Sequence, residues 1–280
     1  MSNDEFSRIE SAFNTHAVIC FREQFLDEEQ LIAFARRFGE VERIFLTHYA
    51  HPRHAEIMYV SNIKENGRDI GHADAGRVWH TDMSYNRTIG FLNVLYAVKV
   101  PMRDAKPLGA TLFANMHAAY EGLDPELKQL LKDKTATHDF NKFWEKMRLR
   151  PGSIRGPLTA EQRAKRPPSV HPVVLTHPIS GRPVLYCNPG YAIRINELDE
   201  RESEEVLERL FAHQLRPEYQ YTHTWSVGDV LVWDHVGTLH NAVPDYGPHE
   251  QRLMKRCQVM ANRIFDPAFL HDAYAAGSAH

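Results

Sequence analysis

Short apolar runs broken by turn residues constrain this chain most. Phe91 to Val98 is almost wholly apolar and partly β-branched. Pro183 to Cys187 and His171 to Thr176 flank the turn signal Pro178-Ile179-Ser180-Gly181, and so predict a hairpin. Tyr219 to Trp225 alternates, Gly228-Asp229 breaks it from Val230 to Trp233, and Leu253 to Met260 predicts a last strand. Three helices interrupt the pattern. Asp27-Glu28-Glu29 caps a stripe of Leu31, Phe34, Ala35 and Phe38 that ends at Gly39. Asp124-Pro125 opens a second helix with Leu127, Leu130 and Leu131 inside. The third runs from about Asp199 to His213. Many strands with a few helices point to a mainly β fold with flanking helices, a sandwich or jelly roll.

At 280 residues the chain is expected to form a single domain, 1–280, with a lid or loop insertion at about 142–168. That segment is basic and rich in proline and arginine, and strand patterns flank it on both sides. A net charge of −3 gives no reason to expect nucleic acid or an anionic membrane surface as a partner. No stretch approaches the apolar length needed to span a bilayer. Met1 to Glu10 carries Asp4, Glu5 and Glu10, which is wrong for a secretory signal. Cys20, Cys187 and Cys257 form neither a disulfide framework nor a CxxC pair, so a cytoplasmic location is expected.

Against this background His80-Thr81-Asp82 stands out, answered much later by His240. Residues i and i+2 of extended backbone point to one side, so His80 and Asp82 can reach one ion. Two imidazoles and one carboxylate suit ferrous iron and leave one face of it open. Either His240 or His235 can supply the second imidazole; His240 is preferred because its surroundings also fit the family pattern below. Each residue alone has a plainer explanation, an exposed strand end for HxD and a buried core histidine for His240. Arg252 and Arg256 share a face of the last strand, about 13 Å apart at ~3.3 Å per residue. Their planar forks suit carboxylates, although an isolated arginine pair is more often a surface pair. A zinc hydrolase or isomerase on a jelly-roll scaffold accounts for the same three ligands. It has no need of Arg252, and a non-catalytic binding protein has no need of an intact ligand set.

Taken in order, Trp79-His80-Thr81-Asp82, Thr111-Leu112-Phe113, His138-Asp139-Phe140, His171-Pro172-Val173-Val174, Thr176-His177-Pro178, Trp233-Asp234 and His240-Asn241-Ala242-Val243 resemble the TauD/TfdA family. These are the taurine and phenoxyacetate-herbicide dioxygenases that use Fe(II) and 2-oxoglutarate, and the resemblance extends to the taurine-acting members. The likeness runs from about Phe21 to Phe265. It implies a double-stranded β-helix (jelly roll) and iron ligands His80, Asp82 and His240. It implies that Arg252 and Thr111 bind 2-oxoglutarate, and that Arg256, Phe140 and Tyr191 meet the primary substrate. O2 would be the second co-substrate, with succinate and CO2 released as a small anionic organic substrate is hydroxylated. A sulfonate, a sulfate ester or an aryloxy or alkyl carboxylate fits that description. The resemblance also implies a homodimer or homotetramer, and Asp82 speaks against a halogenase. The chain departs from the taurine-acting members at Gly76, where they have an asparagine-containing run, and in Val41 to Pro52, where His48 and Tyr49 are the candidate substrate contacts.

Overall fold

A computed structural model describes residues 1–44, 49–150, 153 and 155–265. The chain opens with helix α1 (Asn3–His16), strand β1 (Val18–Phe21), α2 (Glu28–Phe38) and β2 (Met58–Ser61). A small hairpin, β3 (Lys64–Glu65) and β4 (Arg68–Asp69), precedes the long β5 (Gly90–Lys99). A second hairpin, β6 (Met102–Arg103) and β7 (Lys106–Pro107), leads to β8 (Thr111–Asn115), α3 (Met116–Glu121), α4 (Pro125–Leu131) and β9 (Thr135–His138). Next come α5 (Phe140–Arg148), α6 (Ala160–Ala164), β10 (Ser169–Pro172), β11 (Val174–Thr176), β12 (Pro183–Leu185) and β13 (Ala192–Ile195). The chain then forms α7 (Glu200–Gln214), β14 (Gln220–His223), β15 (Val230–Asp234), β16 (Thr238–Ala242) and β17 (Leu253–Met260).

The main sheet is antiparallel, in the order β1-β15-β5-β17-β2. Its central strand β5 is buried on both faces, which explains why Phe91 to Val98 reads as a continuous apolar run. Alternate residues serve different layers. Leu92, Val94 and Tyr96 of β5, with Val230 and Val232 of β15 and Cys257 and Val259 of β17, join the core beneath α1 and α2. Leu95, Ala97, Leu231, Trp233 and Met254 point the other way and pack with Phe113 and Trp225. Those two come from a second sheet, β14-β8-β16, and from the turn after it. Phe113 meets Trp233 edge-on, with ring centroids 5.5 Å apart. The sheets therefore face each other, and what lies between them is the site.

The capped helices follow the sequence expectation. Asp27 accepts from the Gln30 N–H while the Gln30 side chain returns to Asp27, a reciprocal cap worth about 1 kcal/mol. Leu31, Ile32, Ala35 and Phe38 turn inward from α2. Helix α1 goes beyond the expectation. Its stripe is sparse, Phe6 and Phe13 buried with Ile9 packed against the core, and its start is fixed by a Ser2–Glu5 capping box. The hairpin around Pro178 is shorter than expected: only β11 and β12 pair across it, while β10 leaves to pair with β9. The segment 142–168 is thus an insert between two paired strands. It includes most of α5 and all of α6. No helix of the described residues is long and apolar enough to cross a membrane.

Candidate metal centre and adjoining cavity

Backbone pairing brings His80 and His240 face to face. The His80 N–H donates to the His240 carbonyl at 3.1 Å, and the His240 N–H returns to the His80 carbonyl at 2.8 Å. Their ring centroids stand 4.2 Å apart. The turn that delivers His240 is built by Asp234. Its buried carboxylate accepts from the N–H groups of Val236 and Gly237 at 2.8 and 2.9 Å, and lies 3.0 Å from His177 Nε2. Gly237 is needed there, because a Cβ would sit 2.6 Å from Asp234 Oδ2. The motif residues His177, Trp233 and Asp234 thus support the site without entering it.

His80, Asp82 and His240 offer ligand atoms that all lie within 4.8 Å of one another, and all three are buried. His80 Nε2 is 3.3 Å from Asp82 Oδ1, and His240 Nε2 is 3.7 Å from Asp82 Oδ2. The His80 tautomer follows from its surroundings. Nδ1 lies 2.7 Å from the Val78 carbonyl, which can only accept, so Nδ1 carries a proton and Nε2 is the nitrogen that faces Asp82. Asp82 Oδ2 accepts from Asn93 Nδ2 at 2.8 Å and from Arg256 Nη1 at 3.3 Å. Burial alone would raise the Asp82 carboxyl, but Arg256 and the two imidazoles outweigh it and hold it well below the usual carboxylate range. Burial, with His80 beside it, keeps the His240 imidazole neutral. Two imidazoles and a carboxylate are the donor types that suit a ferrous ion.

His235, the competing ligand, is fully buried, and burial pushes its imidazole down to about 4. Its Nε2 is 3.9 Å from Asp82 Oδ2, and it falls outside the convergent trio. Gly190, which the sequence reading did not single out, packs beneath His80: a Cβ there would lie 2.6 Å from the His80 Cβ. At Gly76 it is the φ of +72 that favours glycine, since a Cβ there would make only ordinary contact, 3.5 Å from His80 Cε1.

Buried polar atoms without partners gather around this centre: Asn93 Oδ1, Trp233 Nε1, both His235 nitrogens, His240 Nδ1, and Nε of Arg252 and of Arg256. Each such atom is costly unless something else meets it. Arg252 is only 3% exposed, and no salt bridge holds it among the described residues. Its guanidinium lies 5.9 Å from the Tyr246 ring and against Gly109, whose φ of +71 and missing side chain leave it room. A buried cation of this kind suits a carboxylate ligand. Thr111, at the start of β8, is buried and accepts from Trp225 Nε1 at 3.0 Å.

Arg256 and Gln258 point from β17 into a cavity of about 100 Å³ beside Asp82. Ile44, Met58, Tyr85 and Phe140 give it an apolar wall, and the insert adds Trp144, Leu158, Gln162 and Arg166. Glu42, whose carboxyl is raised by burial, also lines it, with its N–H donating to the Gln258 carbonyl at 2.8 Å. Phe140 therefore lines the cavity. Tyr191 stands one layer deeper, stacked on Phe143 at 4.9 Å and 6.0 Å from His80. Tyr49 packs on His72, and His48 lies outside the described residues.

The chain is similar to several known proteins. The family model described as "Taurine catabolism dioxygenase TauD, TfdA family" matches residues 1–258. Pentalenolactone F synthase of Streptomyces arenae is 36% identical over 95% of this chain and 88% of its own length. The alpha-ketoglutarate-dependent 2,4-dichlorophenoxyacetate dioxygenase of Burkholderia sp. (strain RASC) is 30% identical over 94% and 88%. The crystal structure of a taurine dioxygenase from Burkholderia xenovorans superposes with a TM-score of 0.74 at 27% identity, covering 93% of this chain and 81% of that one.

Proposed function

Since the chain belongs to the TauD/TfdA family of Fe(II)- and 2-oxoglutarate-dependent dioxygenases, we propose that His80, Asp82 and His240 hold its iron, that Arg252 and Thr111 anchor 2-oxoglutarate, and that the cavity at Arg256 takes a small organic anion. The observation that carries the reading is the convergence of one carboxylate and two imidazoles within 4.8 Å. When bound, ferrous iron with 2-oxoglutarate and dioxygen supplies the oxidising power to hydroxylate a C–H bond, giving succinate and CO2.

The protein's own part is positioning and charge. Asn93 and Arg256 occupy Oδ2 of Asp82 and so orient the carboxylate, leaving Oδ1 beside His80 Nε2 for the ion. Arg252 meets the far carboxylate of the co-substrate with a charge that is already desolvated. Arg256 and Arg166 give the cavity its attraction for an acidic head, and Phe140, Met58, Ile44 and Leu158 accept an apolar body. A sulfonate, a sulfate ester or an aryloxy or alkyl carboxylate meets both demands. The two facing sheets support the double-stranded β-helix as the fold, in one domain. Assembly as a homodimer or homotetramer rests on the family resemblance alone, and sedimentation tests it.

The deciding experiment is anaerobic addition of Fe(II) and 2-oxoglutarate. A weak visible charge-transfer band that needs both is expected, and a chain giving none with both present would sink the assignment. Succinate release screened across sulfonates, alkyl sulfates and aryloxy acids then identifies the substrate class.

A further inference from the structure

A second set of metal-binding side chains lies outside the iron centre. Cys20 on β1, His223 at the end of β14 and Asp229 just before β15 each offer a ligand atom, all within 4.8 Å of one another. His223 and Asp229 are fully buried, and Cys20 is half-buried. The dioxygenase reading uses none of them.

Two atoms of this cluster lack hydrogen-bond partners, His223 Nε2 and Asp229 Oδ1. The other carboxylate oxygen is well provided for. Asp229 Oδ2 accepts from Arg22 Nη1 at 2.6 Å and from the Ser226 N–H at 2.8 Å. His223 Nε2 stands 3.3 Å from Oδ2, misaligned for a hydrogen bond. A buried carboxylate oxygen with no donor is among the most expensive groups a core can hold, and a missing ion is one of its ordinary explanations.

We propose that Cys20, His223 and Asp229 bind a divalent d-block cation, zinc foremost. Thiolate, imidazole and carboxylate together are a zinc donor set, and the sulfur separates this site in kind from the all-nitrogen-and-oxygen iron centre. Binding releases the Cys20 thiol proton to solvent. Arg22 does not compete for the same atom: it holds Oδ2 and leaves Oδ1 for the metal, as outer partners of ligating carboxylates do. The site also adjoins the co-substrate wall. Trp225 meets His223 edge-on at 4.7 Å and donates to Thr111, so the ion would brace the strand pair that carries Thr111.

The test is a Co2+ titration of the full chain stripped of metal. Two equivalents are expected, one with a near-ultraviolet sulfur-to-cobalt charge-transfer band that added Zn2+ bleaches. Cys20→Ser, nearly isosteric, should lose that band and one equivalent while keeping the visible band given by Fe(II) with 2-oxoglutarate. His223→Gln should lose the same equivalent. A wild-type titration without a sulfur band overturns the proposal. So does a sulfur band that survives in Cys20→Ser, since Cys187 or Cys257 would then be its source.

Discussion

Backbone hydrogen bonds lock His80 against His240, whereas the cavity beside them is walled partly by an insert that side chains tie down. At the metal centre the ligands sit on or beside sheet strands, with Asn93, Gly190 and the Asp234 turn fixing their positions. At the cavity, five wall residues, Phe140, Trp144, Leu158, Gln162 and Arg166, come from the excursion between β9 and β10. Arg155 anchors that excursion through Asp74 at 2.6 Å and Arg166 through Asn86 at 2.8 Å, while Arg155 over Trp144, 4.7 Å from its guanidinium, holds the excursion together internally. Under the proposed function, the contrast puts reaction type with the sheets and substrate choice with the insert. A family can then exchange substrates by changing the insert while leaving the chemistry alone.

Substitution at the centre gives the largest effects. Asp82→Ala and His240→Ala should each reduce substrate-dependent succinate release to background and abolish the charge-transfer band; turnover in either variant would remove that residue from the ligand set. Gly190→Ala should act nearly as strongly although Gly190 is no ligand, because the new methyl displaces His80. Iron affinity measured by calorimetry checks this, and unchanged affinity would show that the centre tolerates movement. Arg252→Ala removes a buried charge from a carboxylate, which costs about 3 kcal/mol, or about 100-fold in the 2-oxoglutarate requirement. Titrating the band with 2-oxoglutarate reads it directly.

Arg256 belongs to both regions, and its variant sharpens the comparison. Arg256→Ala should raise the KM for the primary substrate and also weaken iron, because Asp82 loses the cation that most strongly lowers its carboxyl. An effect on substrate alone would separate the regions more sharply than the geometry does. At the cavity, Phe140→Ala should reorder preference among aryloxy acids and leave the band unchanged.

The smallest effect belongs to Asp74→Asn, which loosens the insert by about 1 kcal/mol and raises substrate KM a few-fold. Burial opposes ionisation of Asp74, but His72 and Arg155 outweigh it and depress its carboxyl below the ordinary 3.8. A depressed folded pKa places the stabilisation above the unfolded value, to be lost as pH falls from about 4 toward the folded one. Acid titration of wild type and Asp74→Asn should therefore converge below that range; curves that stay parallel would deny the pair its role.

Much of the centre was legible because its signals are local. HxD sets two candidate ligands two residues apart, although Asp82 lies in a turn and not on extended strand; a capping aspartate announces α2, and the apolar run of β5 announces a strand buried on both faces. Arg252 and Arg256 could be placed on one face from their spacing, and Met254 between them points into the same core layer. Other features depend on approaches between distant segments. Gly190 beneath His80, Asn93 on Asp82 and Glu42 beside Gln258 carry no sequence signal, since each matters only through a neighbour brought near by folding. Helix α1 was hidden by its sparse stripe, and the Pro178 hairpin was misread in length because β10 alone cannot reveal that β9 is its partner. The sequence by itself determined the donor types, the strand periods and the caps, all properties of a residue and its near neighbours. The tertiary structure decided which imidazole faces Asp82, how deep Tyr191 lies and what walls the cavity, because those are distances, and distances between remote segments exist only once the sheets have packed.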